Sequence, residues 1–218
     1  MKRGALIVIE GVDRTGKSTQ AKALVESLRN KNIQAEYTNF PARETEIGKV
    51  INSYLTSKND LPDETIHLLF SANRWERANY IVKKLEAGTT LIVDRYCYSG
   101  VAFSASKGLD LNWCKAPDVG LPQPDRVFFL TMPFEHILQR NGFGKERYEV
   151  PEFQKKVSDV YLKLKDDSWE LLDAVGAVGN NPMSIEEIHK DLLEKTINIV
   201  KNSTDKPIGK VWVCPKSL

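Results

Sequence analysis

One octapeptide near the N-terminus, Gly11-Val-Asp-Arg-Thr-Gly-Lys-Ser18, constrains the fold more than any other stretch of the chain. It follows a short apolar run, Ala5–Ile9, and it precedes a stretch in which apolar residues recur at helical spacing over 21–28. Strand, glycine-rich loop and helix in this order are the context of a phosphate-binding loop, or P-loop. The sequence therefore predicts a cradle for a nucleoside triphosphate.

The residue types in this loop match the chemistry of phosphate binding. Gly11 and Gly16 allow positive φ and a close approach of the backbone to a phosphate. The loop N–H groups and the positive end of the following helix then face the anion. Lys17 can reach terminal phosphate oxygens, and the Ser18 hydroxyl can ligate Mg²⁺. A turn that merely joined two elements would leave Lys17 and Ser18 unexplained.

Composition limits the classes of partner and the compartment. The 31 Lys and Arg nearly balance the 29 Asp and Glu, giving a net charge of +2. We therefore expect neither nucleic acid nor a membrane as a partner, and any basic site must be local. The three cysteines show no CxxC spacing, which favours a reducing compartment. The first apolar run is too short for a signal peptide, so we expect a cytoplasmic protein.

The order of predicted elements indicates a single α/β domain over residues 1–218. After the first strand and helix, further strands are predicted at 33–40, 90–93, 126–131 and 169–175. Helices are predicted at 44–55, 62–85, 134–141, 151–166 and 184–200, the last with a capping box from Ser184 and Glu187. Such alternation favours a doubly wound parallel sheet. The tail, 205–218, is expected to pack only through Val211 and Trp212.

Arginines collect where the carboxyl ends of the predicted strands meet, which is where ligands bind in such sheets. The residues concerned are Arg14, Arg43, Arg95, Arg140 and Arg147, with Arg74 on the long helix. Arginine suits bidentate phosphate binding, so a second phosphate-bearing substrate and phosphoryl transfer between two nucleotides are predicted. The alternative is that some of them are solvated or pair with nearby acids such as Glu44, Glu46 and Glu149.

Ordered motifs along the chain resemble one family. They are Gly11–Thr19, Phe40-Pro-Ala-Arg43, Asn73-Arg-Trp-Glu76, Asp94-Arg-Tyr-Cys-Tyr-Ser-Gly100, Gly120–Asp125 and Glu146-Arg-Tyr-Glu149. Together they resemble thymidylate kinase of the eukaryotic type. The resemblance implies a P-loop NTPase fold with a five-stranded parallel sheet flanked by helices, and a homodimer. It also implies ATP- and Mg²⁺-dependent phosphorylation of dTMP to dTDP, a step toward dTTP.

On the donor side, the resemblance gives catalytic roles to Asp13, Arg14, Lys17 and Asp94. Ser18 would ligate Mg²⁺ directly, and Asp94 would do so through water. A lid is implied at about 140–150. The residues implied to bind ATP are Gly11, Val12, Asp13, Arg14, Thr15, Gly16, Lys17, Ser18, Thr19 and Arg140.

On the acceptor side, the resemblance implies that Arg43 and Arg95 hold the phosphate of dTMP. Phe70 would stack on thymine, Arg74 would bind its carbonyl edge, and Tyr148 would lie near the sugar. The residues implied to bind dTMP are Asp13, Phe40, Arg43, Phe70, Arg74, Arg95, Ser99, Gly100, Phe103 and Tyr148.

Other P-loop functions stay open at this point. A GTPase-like switch or binding module would need a guanine-reading NKxD tetrapeptide, which the sequence lacks. A deoxynucleoside kinase shares the P-loop and the Asp-Arg pair, but its acceptor carries no phosphate for Arg43. Another nucleoside-monophosphate kinase would differ only in the base it accepts.

Overall fold

A five-stranded parallel sheet forms the centre of the protein. The computed structural model describes residues 2–138, 146–174, 183–203 and 205–213. The strands are β1 (Leu6–Glu10), β2 (Ala35–Asn39), β3 (Thr90–Asp94), β4 (Arg126–Thr131) and β5 (Trp169–Asp173). Their order in the sheet is β2-β3-β1-β4-β5, and every pairing is parallel. The predicted α/β fold with a five-stranded parallel sheet is confirmed.

Helices cover both faces of this sheet. They are α1 (Lys17–Asn30), α2 (Glu46–Leu55), α3 (Asp63–Glu86), α4 (Cys97–Ala105), α5 (Leu111–Lys115), α6 (Phe134–Leu138), α7 (Pro151–Leu164) and α8 (Ile185–Ser203), with a 3₁₀ turn at Ala116–Asp118. In the described ranges, no helix is both long enough and apolar enough to cross a membrane.

The sequence predictions missed α4, although they located the longer helices within a few residues. Residues 97–102 of this helix are all buried, so it has no polar face. A helix that is apolar on every side gives no amphipathic period to detect. The predicted capping box of α8 is confirmed, because Glu187 N–H donates to Ser184 Oγ (3.1 Å) and Ser184 N–H donates to Glu187 Oε2 (2.8 Å).

Strand β1 shows why the sheet is buried on both sides. All five of its residues are buried, and successive side chains point to opposite faces. Leu6 and Val8 pack on one face, against α3, α4 and α7 residues, whereas Ile7 and Ile9 pack on the other, against α1. A continuous apolar run is the expected pattern for a strand covered by helices on both faces.

The register of the sheet fixes the edge where ligands are expected. Ile9 lies opposite Asp94 of β3 and opposite Phe128 of β4. The loop that follows β1 therefore starts between the ends of its two neighbours. As a consequence, the Gly11–Ser18 loop and the Asp94-Arg95 pair lie side by side.

The tail corrects one expectation. Val211 is buried and Trp212 packs edge-on against Tyr98, with ring centroids 5.7 Å apart. However, the prediction that the tail packs only through these two residues is wrong. Its backbone also pairs with the chain at 120–123, and Val211 N–H donates to Leu121 O (2.9 Å). Backbone pairing of this kind leaves no side-chain pattern in the sequence.

Candidate active site

The Gly11–Ser18 loop has the backbone that the sequence predicted. Gly11 has φ +147° and Gly16 has φ +98°, both in the region that favours glycine. A Cβ at Gly11 would lie 2.6 Å from Leu130 O, so no side chain fits there. Helix α1 begins directly after Gly16, with its N-terminal N–H groups at the loop.

Lys17 lies across the loop and is buried. Its Nζ donates to Val12 O (2.6 Å) and to Thr15 Oγ1 (3.4 Å). Burial and, to a lesser degree, the nearby Arg95 lower the pKa of Lys17 to about 8, although the carboxylates around it act in the opposite direction. The amine is therefore close to its titration point at neutral pH, and an anion in the loop would favour the charged form.

Ser18 and Asp94 bring two oxygen ligands together beside the loop. Ser18 Oγ donates to Asp94 Oδ2, and the Tyr37 hydroxyl donates to the same carboxylate oxygen at 3.4 Å. Burial and the Asp94 charge raise the pKa of Tyr37, which keeps its hydroxyl protonated. Oxygen ligands of this kind suit Mg²⁺. Sequence reasoning missed Tyr37, since an aromatic residue inside β2 carries no signal of a site.

Arg14 points from the loop toward the segment before α7. It has φ 65°, and its Nε donates to Glu149 Oε1 (2.8 Å). This hydrogen bond raises the pKa of Arg14, so the side chain stays charged. The alternative that rim arginines pair with acids thus holds for Arg14, and it also holds for Arg43 with Glu146 and for Arg147 with Asp60. Glu44 and Glu46 pair instead with Arg77 and Lys49.

Arg95 forms a partly buried ion pair with Asp13 at the meeting point of two loops. Its Nη2 donates to Asp13 Oδ1, while Gln154 Nε2 donates to Asp13 Oδ2 (2.6 Å). Burial opposes the charge of Arg95, but the Asp13 carboxylate holds the pKa of the guanidinium above its ordinary value. Gln154 is fully buried. Sequence reasoning missed it, because a glutamine near the start of an amphipathic helix usually lies at the surface.

All ten residues predicted for the acceptor side line one cavity, which is partly open to solvent. They are Asp13, Phe40, Arg43, Phe70, Arg74, Arg95, Ser99, Gly100, Phe103 and Tyr148. Tyr148 stacks on Phe153, with ring centroids 5.4 Å apart and planes 29° apart. The wall thus combines aromatic rings with the arginines Arg43, Arg74 and Arg95.

At the inner end of this cavity, Arg74 is held by a carboxylate that the sequence did not reveal. Arg74 is 2 % exposed, and its Nε and Nη2 donate to the two oxygens of Asp118 at 2.9 and 2.6 Å. A Cβ at Gly100 would lie 2.7 Å from Arg74 Nη2, so glycine makes room for the guanidinium. Asp118 follows Pro117 in a 3₁₀ turn, a context typical of an ordinary surface turn.

At the outer end, Arg43 is partly exposed and bound to its surroundings. Its Nη1 donates to Asn52 Oδ1 and its Nη2 to Glu146 Oε1, both at 2.8 Å. Arg147, which follows Glu146 in the chain, donates through Nε to Tyr54 O (3.0 Å). The segment that begins at Glu146 therefore lies across the cavity mouth and is attached to α2.

A second cavity lies over the P-loop and opens beside the first. Of the residues predicted to bind ATP, it is lined by Asp13, Arg14, Gly16, Lys17, Ser18 and Thr19. Gly11, Val12 and Thr15 shape the loop behind this surface. Both cavities share the wall residues Asp13, Phe40, Pro41, Arg43, Arg95 and Glu146. Arg140 and the first part of the predicted lid, 140–145, lie outside the described residues.

Comparison with known proteins agrees with this geometry. The family model of thymidylate kinase matches residues 9–192. The chain belongs to the thymidylate kinase family. It is 47% identical to the thymidylate kinase of Homo sapiens over 97% of this chain and 98% of that one. It is 50% identical to that of Arabidopsis thaliana over 96% of this chain and 78% of that one.

A solved structure is similar throughout. The thymidylate kinase of Candida albicans matches with a TM-score of 0.86 and 39% identity, over 96% of this chain and 99% of that one. Membership in the thymidylate kinase family confirms the resemblance drawn from the motifs, and with it a P-loop phosphotransferase. Neither a deoxynucleoside kinase nor a P-loop switch or binding module is favoured.

A substitution at Arg74 tests the inner end of the acceptor cavity. Arg74→Ala is expected to raise KM for the acceptor by roughly 10- to 100-fold, with a much smaller change in kcat, because a charge-assisted hydrogen bond contributes about 1.5–3 kcal/mol. Steady-state kinetics measures both constants. Arg77→Ala, one turn along α3 and paired at the surface with Glu44, is the matched control.

The same substitution removes the guanidinium that neutralises the buried Asp118 carboxylate and leaves it the hydrogen bond from Ser71 Oγ (2.8 Å), so Tm should also fall. The double variant Arg74→Ala with Asp118→Ala removes both charges and should recover part of Tm. If KM recovered together with Tm, Arg74 would act through stability alone.

Proposed function

We propose that this kinase transfers the γ-phosphoryl group of ATP to dTMP, giving dTDP. The observation that carries the proposal is the shared wall between a P-loop cavity and a second cavity lined by aromatic residues and arginines. Two phosphate-binding sites that meet at Asp13 and Arg95 suit transfer between two nucleotides better than hydrolysis.

The donor side fits ATP with Mg²⁺. The P-loop N–H groups and Lys17 would bind the β- and γ-phosphates. Ser18 and Asp94 would hold Mg²⁺, since that ion is usually bound by one or two protein oxygens together with substrate phosphates. When bound, Mg²⁺ supplies charge neutralisation at the phosphate oxygens. The role of Arg140 and of a lid at about 140–150 stays a prediction.

The acceptor side fits a nucleoside monophosphate. Arg95 and Arg43 would bind its phosphate, whose oxygen is already anionic near neutral pH and needs no general base. Arg14 and Lys17 would neutralise charge on the transferred group as it forms, which is the main demand of phosphoryl transfer. Asp13 would hold Arg95 in place and contact the sugar.

The base and sugar would occupy the aromatic part of the cavity. Phe70 would stack on thymine, and the Nη1 of Arg74, the guanidinium nitrogen not bonded to Asp118, would bind its carbonyl edge. Phe40, Ser99, Gly100 and Phe103 would complete the wall, and Tyr148 would disfavour a 2′-hydroxyl.

An acceptor panel tests this proposal against the deoxynucleoside kinase and the other monophosphate kinases. With ATP and Mg²⁺, we expect kcat/KM to be highest for dTMP among dTMP, dUMP, CMP, AMP and thymidine. Coupled detection of ADP measures all five. A higher value for thymidine would favour the nucleoside kinase, and a higher value for another monophosphate would replace dTMP as the substrate.

We further propose that the whole chain, 1–218, acts as one catalytic unit, assembles as a homodimer and works in the cytoplasm. Of the cysteines that the structure describes, Cys97 and Cys114 are free and buried, as expected in a reducing compartment. Sedimentation of the active enzyme tests the dimer, and a monomer with full activity would exclude it.

A further inference from the structure

Glu10, the last residue of β1, is a carboxylate that the mechanism above does not use. Its side chain is fully buried, 0 % exposed. It lies immediately before the P-loop, yet its partners belong to the acceptor side of the site. A buried carboxylate is expensive unless its oxygens are fully hydrogen-bonded, so the arrangement around it is informative.

The two oxygens of Glu10 have separate tasks. Oε1 accepts the backbone N–H groups of Tyr96 (2.9 Å) and Ser99 (3.1 Å). These groups open α4, whose N-cap residue, Tyr96, supplies no side-chain cap of its own. Oε1 therefore caps α4 from a neighbouring strand, a structural role.

Oε2 accepts hydroxyl groups instead. Ser99 Oγ donates to it at 2.6 Å and the Tyr161 hydroxyl at 2.9 Å, and the two hydroxyl oxygens are 2.7 Å apart. Burial and the Glu10 charge raise the pKa of Tyr161, so this hydroxyl keeps its proton. All three groups are buried and form one connected network.

This network ends at the guanidinium of Arg95. Arg95 Nη1 donates to Ser99 Oγ (3.0 Å) and to the Tyr161 hydroxyl (3.4 Å). An ionised carboxylate can only accept hydrogen bonds, so it draws the hydroxyl protons toward itself. The lone pairs of the two hydroxyls are then turned toward Nη1, while Asp13 holds Nη2.

We propose that Glu10 is a positioning residue for the acceptor phosphate: it orients the Ser99 and Tyr161 hydroxyls so that they fix the guanidinium of Arg95. The proposal rests on the function proposed above, in which Arg95 binds the phosphate of dTMP. It adds a residue of the P-loop strand to the acceptor machinery. ATP binding by Lys17 and the loop should depend on it far less.

Glu10→Gln separates the two tasks. The amide oxygen can still accept from the backbone of α4, but the amide nitrogen, placed where Oε2 was, donates. The hydroxyls of Ser99 and Tyr161 then lose Oε2 as an acceptor. One of their two protons can be used in the 2.7 Å contact between them, and the other turns toward Arg95 Nη1. We expect the Kd and KM for dTMP to rise about tenfold or more, the scale of a lost charge-assisted hydrogen bond, and those for ATP to stay within about twofold.

Asp125→Asn is the matched control. Asp125 lies at the opposite end of β1, accepts the Leu6 N–H (2.8 Å) and pairs with Arg3 (2.7 Å), so it resembles Glu10 without touching the site. The Tm of the Asp125→Asn variant should fall, while its affinities for dTMP and for ATP should stay unchanged. Calorimetric titration with dTMP and with a non-hydrolysable ATP analogue measures each affinity separately.

Tyr161→Phe provides a second variant should Glu10→Gln fold poorly. It removes one hydroxyl and keeps the ring, and it should raise the Kd for dTMP in the same selective way. The double variant combines Glu10→Gln with Tyr161→Phe. Its fold-increase in the Kd for dTMP should be smaller than the product of the two single fold-increases, because both residues act through one network.

Two results would overturn the proposal. One is a lower Tm with an unchanged Kd for dTMP, which would leave Glu10 as a helix cap only. The other is an equal loss for dTMP and ATP, which would indicate general loosening. Failure of the proposed function is distinguishable, because the unsubstituted enzyme would then show a higher kcat/KM for another acceptor than for dTMP.

Discussion

Replacing Lys17 with methionine is expected to lower kcat about a thousandfold, the scale found when a preorganised positive group is removed from a phosphoryl-transfer site. The side chain is buried, and its Nζ is placed by Val12 O at 2.6 Å, so little reorganisation is needed once phosphates displace that contact. Methionine retains the apolar stem. Single-turnover kinetics with saturating substrates measures the chemical step directly.

The same residue predicts a pH dependence. Since burial lowers the pKa of Lys17 to about 8 in the free enzyme, the charged form is lost as pH rises through that value. kcat/KM for ATP should therefore be flat below about pH 7 and fall above pH 8. In Lys17→Arg, whose side chain stays protonated, the remaining activity should show no such fall. An unchanged alkaline limb in that variant would assign the titration to another group.

Replacing Arg14 with alanine should also reduce kcat by about 10³-fold or more, the range for an arginine that stabilises the transferred group. Arg14 lines the P-loop cavity, and its Nε is held by Glu149 at 2.8 Å. The hydrogen bond to Glu149 therefore fixes the Nε edge of the Arg14 guanidinium, and the rest of this planar group has a defined orientation as a result. KM for dTMP should change much less than kcat.

Added guanidinium ion offers a control for this variant. It should restore part of the activity of Arg14→Ala, since the space and the Glu149 carboxylate remain, and it should not restore Lys17→Met. A value of kcat close to that of the unsubstituted enzyme in Arg14→Ala would contradict the catalytic role of this arginine.

The parts of the fold that could be predicted are those with local signals. The P-loop is recognisable from two glycines and a Lys-Ser pair within eight residues. Strands β3 and β4 are recognisable as short apolar runs that end at polar residues. Helices with one apolar face, such as α1 and α7, show the helical period. In each case, neighbouring residues carry the information.

The partners of the site residues could not be predicted in this way. Gln154 binds Asp13 and Asp118 binds Arg74 across 141 and 44 residues of sequence, and neither lies in a motif of its own. Glu10 is a similar case, because the role proposed for it depends on its hydrogen bond with Tyr161 of α7, which is distant in the sequence. A buried polar residue looks like a surface residue until the partner that satisfies it is known.

The pairing of β1 with β3 has a consequence for how the two substrates are held. Ile9 and Asp94 are directly opposite in the sheet, so the loops that begin after these strands start one strand spacing apart, about 4.8 Å. In the function proposed above, the separation of the donor and acceptor phosphates would then be set by the backbone of the sheet rather than by the conformation of the loops.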